Sequence, residues 1–285
     1  LHPDRGIDVS WYRFEHHLKR GNSAVAERLL REIAERLPPT DPGRIAVADA
    51  YERIKNPKEA VLIWEGLDTR EGGLGVDESM RLAWLYDTTG QRDKAIGLWR
   101  KLWEGTLPDS RRRMVEDRLL QLAAETATLG DIAVELEQRL ARGEARAKDS
   151  SLLIRIYTDA SDTASAIEVI QEYYSRQEPS PAAAIASLRE QARVYQALNR
   201  HGPFVQVTEK LLELDSDNRT DHLQSLILNQ LDRGGRPDAD TLQRRLGELR
   251  QVNAAAGDEF EAGVLVIAGL RDKAIDSYRR ALARN

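Results

Sequence analysis

The chain has no cysteine among its 285 residues. That excludes disulfides, thiolate metal sites and cysteine nucleophiles together, while suiting an oxidising compartment as well as the cytoplasm. Aromatic residues are scarce at 6%, with three phenylalanines and two methionines, yet five of the few aromatics are tryptophans. Of the 42 basic residues only eight are lysine, an arginine bias that often accompanies GC-rich bacterial genomes. No run approaches 18 uninterrupted apolar residues, so no direct membrane insertion is expected of this segment. A clustered positive face is missing too. The net charge of −5 argues against a nucleic-acid partner, because phosphate binding needs such a face. The opening "LHPDRGIDVSW" has no initiator Met and no apolar signal core, and reads as a piece cut from a longer protein.

What the chain does have is a period. Tyr51, Ala60, Trp64 and Leu67 recur 35 residues later as Tyr86, Ala95, Trp99 and Leu102. The small position continues outward to Ala26, and onward to Ala166, Phe204, Ala239 and Ala274, with room for one further unit centred near Asp131. An aromatic stands nine residues before it at Tyr51, Tyr86, Tyr157 and Tyr195. Between the two lies a turn, for which Gly21, Gly90, Gly234 and Gly269 supply the positive backbone angle that ends a helix. The following residues repeat their apolar members at spacings of three and four, as in Ala95, Leu98, Trp99 and Leu102. Asp41-Pro42, Asn56-Pro57 and Ser180-Pro181 place a capping side chain before a first-turn proline. No alternating strand pattern appears. The expectation is an all-α fold built from helix-turn-helix units, about eight of them, approximately 8–40, 41–75, 76–109, 110–146, 147–181, 182–219, 220–254 and 255–285.

This unit resembles the tetratricopeptide repeat, whose pattern runs W-x2-L-G-x2-Y-x8-A-x3-F-x2-A-x4-P. Leu82 and Ala83 stand for the L-G pair, Tyr86 for the tyrosine, and Ala95, Trp99 and Leu102 for A, F and A, with Pro108 one residue late. The last copy matches through Ala262, Ala274, Tyr278 and Ala281. Units near 112–142 and 220–250 depart, since Gln121 and Gln230 fall near the tyrosine position. The resemblance implies a single right-handed α-solenoid over 1–285, in which first helices line a concave face and pattern residues serve packing.

It also implies which residues face that groove. They are Asp49, Glu52 and Arg53 in the second unit, and Met80, Trp84 and Asp87 in the third. Arg155 and Asp159 follow in the fifth unit, and Arg189, Arg193 and Gln196 in the sixth. Carboxylates beside a tryptophan are thus expected toward the N-terminus and arginines in the middle, suited to a protein partner. Trp64 and Trp99 read as packing residues, Trp103 as half-exposed, and Trp11 as a residue of the end helix. The Lys/Asn/Arg set by which chaperone adaptors of this family grip a terminal carboxylate is missing from the corresponding places. Pentatricopeptide repeats share the period and read RNA, but the acidic balance speaks against that use.

Catalytic signals are wanting. His16 and His17 are adjacent, so a helix turns them about 100° apart, and they do not chelate one metal as an i,i+4 pair does. His2, His201 and His222 stand alone, and His201 falls in an interhelix turn. The glycine-rich "REGGLGVDE" at 70–78 reads as a helix-joining loop, with no strand before it to make a phosphate cradle. No catalytic residues, metal or cofactor are expected. The expected function is a non-catalytic interaction scaffold. The chain looks somewhat like the periplasmic repeat regions of bacterial exopolysaccharide secretion machines, which implies a protein partner or, alternatively, a polysaccharide guided along the surface.

Overall fold

The computed structural model describes residues 3–232, 239–267 and 271–283, and among them sixteen α-helices and no strand. Contacts divide the chain into two compact units, 1–130 and 131–285. The first holds α1 (Pro3–Lys19), α2 (Ser23–Arg36), α3 (Arg44–Arg53), α4 (Pro57–Asp68), α5 (Val76–Thr88), α6 (Arg92–Glu104) and α7 (Asp109–Glu125). Next comes α8 (Leu129–Ala141), whose start marks the boundary. The second unit continues with α9 (Ala147–Asp159), α10 (Thr163–Ser175), α11 (Pro181–Ala197) and α12 (His201–Leu214). It ends with α13 (Arg219–Asp232), α14 (Ala239–Val252), α15 (Ala254–Ile267) and α16 (Arg271–Leu282).

Helices pack as consecutive hairpins, α1 with α2, α3 with α4 and α5 with α6 in the first unit, α9 with α10 through α15 with α16 in the second. Each hairpin's second helix also lies against the next first helix, α4 against α5 and α12 against α13 for example. Within each unit this is the stacking that an α-solenoid requires.

The six described hairpin turns obey one rule. Gly21, Lys55, Gly90, Ala127, Ser161 and Asn199 all take a positive φ, between 54° and 78°. Each stands five residues before the position that opens the packing stripe of the second helix. That position is buried at Ala26, Ala60, Ala95, Ile132, Ala166 and Phe204. The fourth stripe therefore opens at Ile132, one residue beyond the Asp131 expected from spacing, because its turn angle falls at Ala127. Glycine meets the left-handed turn without a Cβ clash at Gly21 and Gly90, whereas Lys55, Ala127, Ser161 and Asn199 adopt it against steric preference. Gly234 and Gly269 lie outside the described residues, as does the side chain of Ala239. In α14 the buried stripe runs through Leu246 and Leu249.

Four residues into the stripe a further position is buried in each second helix but the last. Leu30, Trp64, Trp99, Leu136, Ile170, Thr208 and Leu246 are all buried there. Trp64 and Trp99 are at or below 1% exposure, and truncating either removes packing worth roughly 3–5 kcal/mol. Trp103 is buried as well, contrary to the half-exposed expectation, since it lies on the α6 face covered by α7. Trp11 meets the fully buried Phe14 edge-on at 5.6 Å.

Two further elements follow the capping chemistry. Asn56 Oδ1 accepts from the Glu59 amide, and Ser180 Oγ accepts from the Ala183 amide at 3.1 Å, so α4 and α11 begin at their prolines. Asp41-Pro42 does not start a helix. Asp41 Oδ1 accepts from the Gly43 amide at 2.7 Å in a local turn, and α3 begins at Arg44, whose guanidinium donates back to the Ala34 and Leu37 carbonyls at the end of α2. The 70–75 loop joins α4 to α5, with Glu78 accepting from the Gly75 amide at 2.8 Å and from Arg70.

Candidate functional site

In the first unit a groove of about 510 Å³ runs over α3, α5 and α7. Met80, Trp84, Leu85 and Met114 give it an apolar floor, and Glu52, Asp77, Arg81 and Arg111 give it a charged rim. The helical period explains this lining. Leu82 and Ala83 face inward and are buried, which turns the flanking Met80 and Trp84 toward the groove. Met80 is 5% exposed and forms the base, whereas Trp84 is 41% exposed and Met114 43%.

The carboxylates expected to face this groove are paired with arginines. Arg81 pairs with Asp49 and, at 2.8 Å, with Glu52, which also accepts from Trp64 Nε1 at 3.5 Å. Arg118 pairs with Asp87, both largely buried, and its guanidinium carbon lies 4.3 Å from the centre of the Trp84 ring. Arg111 pairs with Asp77 at 2.8 Å. Arg53 makes a two-pronged contact with Glu15 at 2.7 and 3.2 Å, which raises the arginine pKa and lowers that of the carboxyl. Acids of the first unit are thus matched by arginines from the next hairpin. Sequence reasoning passed over Arg81 and Arg118 because it searched only beside the tyrosine position. The signal was present: Arg81 and Arg118 occupy one repeat position, fourteen residues before Ala95 and Ile132, each one hairpin after its acid.

The remaining expected residues lie in the second unit. Arg155 is 3.7 Å from Asp159 on the same face of α9. Arg189 donates to Asp215 Oδ2 at 2.6 and 3.1 Å. Arg193 pairs with Glu190 one turn earlier, and Gln196 is exposed. Asp215 is itself buried and also receives His222 at 2.8 Å and Asn218 at 3.1 Å. Burial raises its pKa, but the hydrogen bonds from His222, Arg189 and Asn218 outweigh it and hold the carboxyl at about 2. These contacts tie α11 to α13 and are structural.

Two tyrosines show the repeat chemistry at another level. Tyr86 donates to Glu65 at 3.0 Å and Tyr157 donates to Glu137, each reaching from a first helix to the preceding second helix. Burial, then the carboxylate, pushes Tyr157 up to about 12. A second groove, about 390 Å³, went unseen in the sequence; Leu228, Leu231, Phe260, Val264, Ile267 and Tyr278 line it on α13, α15 and α16. The apolar α15 stretch "GVLVI" was its signal.

Among the described residues no His, Asp and Glu side chains group to hold a metal ion. His16 and His17 sit with ring centres 5.7 Å apart and nearly perpendicular, and His201 begins α12 with Nδ1 3.1 Å from Asn229. No described helix is long and apolar enough to cross a membrane.

The family model for the Tetratrico peptide repeat matches residues 79–196, which supports the repeat reading over that stretch and includes Met80, Trp84 and Asp87. Among solved structures the chain is similar to PilF of Pseudomonas aeruginosa, at 14% identity, 76% of this chain, 95% of that one and a TM-score of 0.32. A tetratricopeptide repeat protein of Parabacteroides merdae is 10% identical over 98% and 93% of the two chains, with a TM-score of 0.35. The C-terminal part of a repeat-containing protein of Cytophaga hutchinsonii is 13% identical over 95% and 94%, with a TM-score of 0.36. No curated protein matches the sequence.

Proposed function

We propose that this chain is a non-catalytic scaffold that holds a segment of a protein partner in the groove of α3, α5 and α7. The observation that carries the proposal is the combination at its centre: Trp84 and Met114 are exposed, while Arg81, Arg111 and Arg118 are already matched by acids. Such a floor gains most by accepting an apolar side chain of the partner, with the paired charges fixing its register around the rim. A photo-crosslinking residue at position 84, with position 62 on α4 as the exposed control, tests this in the native host. Capture of one stoichiometric protein from position 84 alone is the expected result; equal capture from both positions contradicts it.

A second reading, a surface that guides a cationic or neutral exopolysaccharide, is favoured by the exposed indole of Trp84. Arg118 lies 4.3 Å from the centre of that ring and Trp99 meets it edge-on at 5.8 Å, so a sugar would pack on the part of the indole that stays exposed. Loss of polymer binding in Trp84→Ala with protein binding intact supports this reading over the first. For the setting we propose a bacterial envelope or secretion assembly in the periplasm, with the cytoplasm as the alternative. The cysteine-free, arginine-rich composition supports it, and osmotic-shock fractionation tests it. We also propose that all eight units are copies of one repeat, because the period continues in the sequence on both sides of residue 130.

A further inference from the structure

Around the repeat's tyrosine position two further places recur. One lies five residues after the stripe opening of a second helix, the other one residue before the next opening. In chain order they hold Arg31 and Glu59, Glu65 and Lys94, Arg100 and Asp131, Glu137 and Ser165, and Gln171 and Pro203. The first three sets join an acid to a base, and the last is uncharged. The fourth alone sets an acid against a neutral residue.

The second set shows what such an arrangement holds. Tyr86 donates to Glu65 Oε1 at 3.0 Å, and Lys94 Nζ reaches the same oxygen at 2.7 Å. The ammonium also lies 5.2 Å from the centre of the Tyr86 ring. The hydrogen bonds from Lys94 and Tyr86 outweigh burial and hold the Glu65 carboxyl below its ordinary range.

The fourth set keeps the tyrosine and the carboxylate and lacks the ammonium. Tyr157 donates to Glu137 as Tyr86 does to Glu65. Ser165 stands in the place of Lys94 and turns away, its Oγ donating to Asp162 at 2.7 Å. A cavity of about 310 Å³ opens there, lined by Glu137, Tyr157, Glu168 and Glu172 over an apolar floor of Leu140 and Val169. Arg176 neutralises Glu172 at 2.8 Å. Among the described residues no lysine or arginine pairs with Glu137 or Glu168. Acids alone make a solvated face; here the same repeat positions already hold an ammonium in another copy of the unit.

We propose that this cavity on α8, α9 and α10 binds the side chain of a lysine supplied by a partner protein. Its ammonium donates to Glu137 beside the Tyr157 ring, as Lys94 does to Glu65 beside Tyr86, and Glu168 adds a second carboxylate. The alkyl stem packs on Leu140 and Val169. The volume lies at the small end of ligand pockets and suits one side chain. Lysine fits better than arginine, since Tyr157 already occupies one oxygen of Glu137 and a planar fork needs two. The cavity shares no residue with the first-unit groove, so the proposal is independent of that groove's occupant.

The probe is the peptide Ac-Ala-Ala-Lys-Ala-Ala-NH2, titrated into the methyl-labelled 285-residue protein and followed by NMR. Saturable shifts at the Leu140 and Val169 methyls are the expected result. Glu137→Gln weakens binding at least roughly tenfold, and Glu59→Gln in the first unit leaves it unchanged. Ser165→Lys abolishes binding, because it supplies the ammonium from within the chain, and its Glu137 carboxyl titrates lower than in wild type. Circular dichroism confirms that the variants stay folded; should Ser165→Lys unfold through loss of its hydroxyl contact, Glu137→Gln, at an exposed site, carries the comparison. Absence of saturable shifts, equal shifts with glutamine in place of the peptide's lysine, or binding indifferent to Glu137→Gln overturns the proposal. So does saturation by cadaverine at lower concentration than by the peptide, since a free diamine is then the better occupant.

Discussion

The groove of the first unit and the groove of the second occupy equivalent places in the repeat and are built from opposite materials. Fourteen residues before the stripe opening stand Arg81 and Arg118 in the first, each bound to an acid of the preceding hairpin. In the second, Phe260 holds that place before Ala274, and Leu228 lines the same groove. The packing stripe is buried behind the first groove at Ala95, Trp99 and Ile132, and behind the second at Leu246, Leu249 and Ala274. Packing between hairpins constrains one side of each first helix and leaves the other side free to specialise. The first groove couples an exposed indole to neutralised charge, and the second is apolar.

The sharpest way to test this division is to truncate the same stripe position in both regions. Trp99→Ala costs about 4 kcal/mol by chemical denaturation, because it empties a closed interface. Tyr278→Ala, half in water, costs less than about 1 kcal/mol. Equal losses contradict the half-exposed setting of Tyr278.

The groove position comes next. Arg118→Met leaves Asp87, 13% exposed, without its counter-charge and destabilises the first unit by about 3 kcal/mol. Leu228→Ala, 46% exposed, stays within about 0.5 kcal/mol of wild type.

The charge cluster of the second unit gives a pH signature. Asp215 is held at about 2, below the unfolded value of about 3.9, so its contribution is complete above pH ~4 and lost as pH falls toward 2. Asp215→Asn flattens the acid limb of the stability profile between those values. Asp215→Ala costs about 2 kcal/mol at neutral pH by orphaning Arg189 and His222.

The smallest effect tests what the regions share. Ala127→Gly and Ser161→Gly relieve left-handed strain, one in each unit, and each raises stability by up to about 1 kcal/mol, while Gly90→Ala lowers it by a similar amount. A gain in one unit alone breaks the common turn rule.

These contrasts mirror what was legible in the sequence. Tyr51, Trp64, Tyr86 and Trp99 announce the framework because packing between hairpins repeats at a fixed interval, and interval is what a sequence displays. Trp103 misled because its counterpart in α4 is Asp68, so the repeat offered no precedent for burying it. Asp41-Pro42 misled because the aspartate satisfies a turn amide before the helix begins. Trp84 was legible as a side chain that packing did not require. Its setting was not, since Arg118 arrives from the next hairpin and spacing within a unit says nothing of it. The apolar groove of α13 and α15 stayed hidden because its residue types read as ordinary core.

The central claim is that Trp84 anchors a protein partner in the groove of α3, α5 and α7. Its most direct test is calorimetric titration of the purified partner crosslinked at position 84 into wild type, Trp84→Ala and Leu62→Ala. An affinity at least roughly tenfold weaker for Trp84→Ala, with Leu62→Ala unchanged, is the predicted result. Equal affinity for wild type and Trp84→Ala contradicts the account.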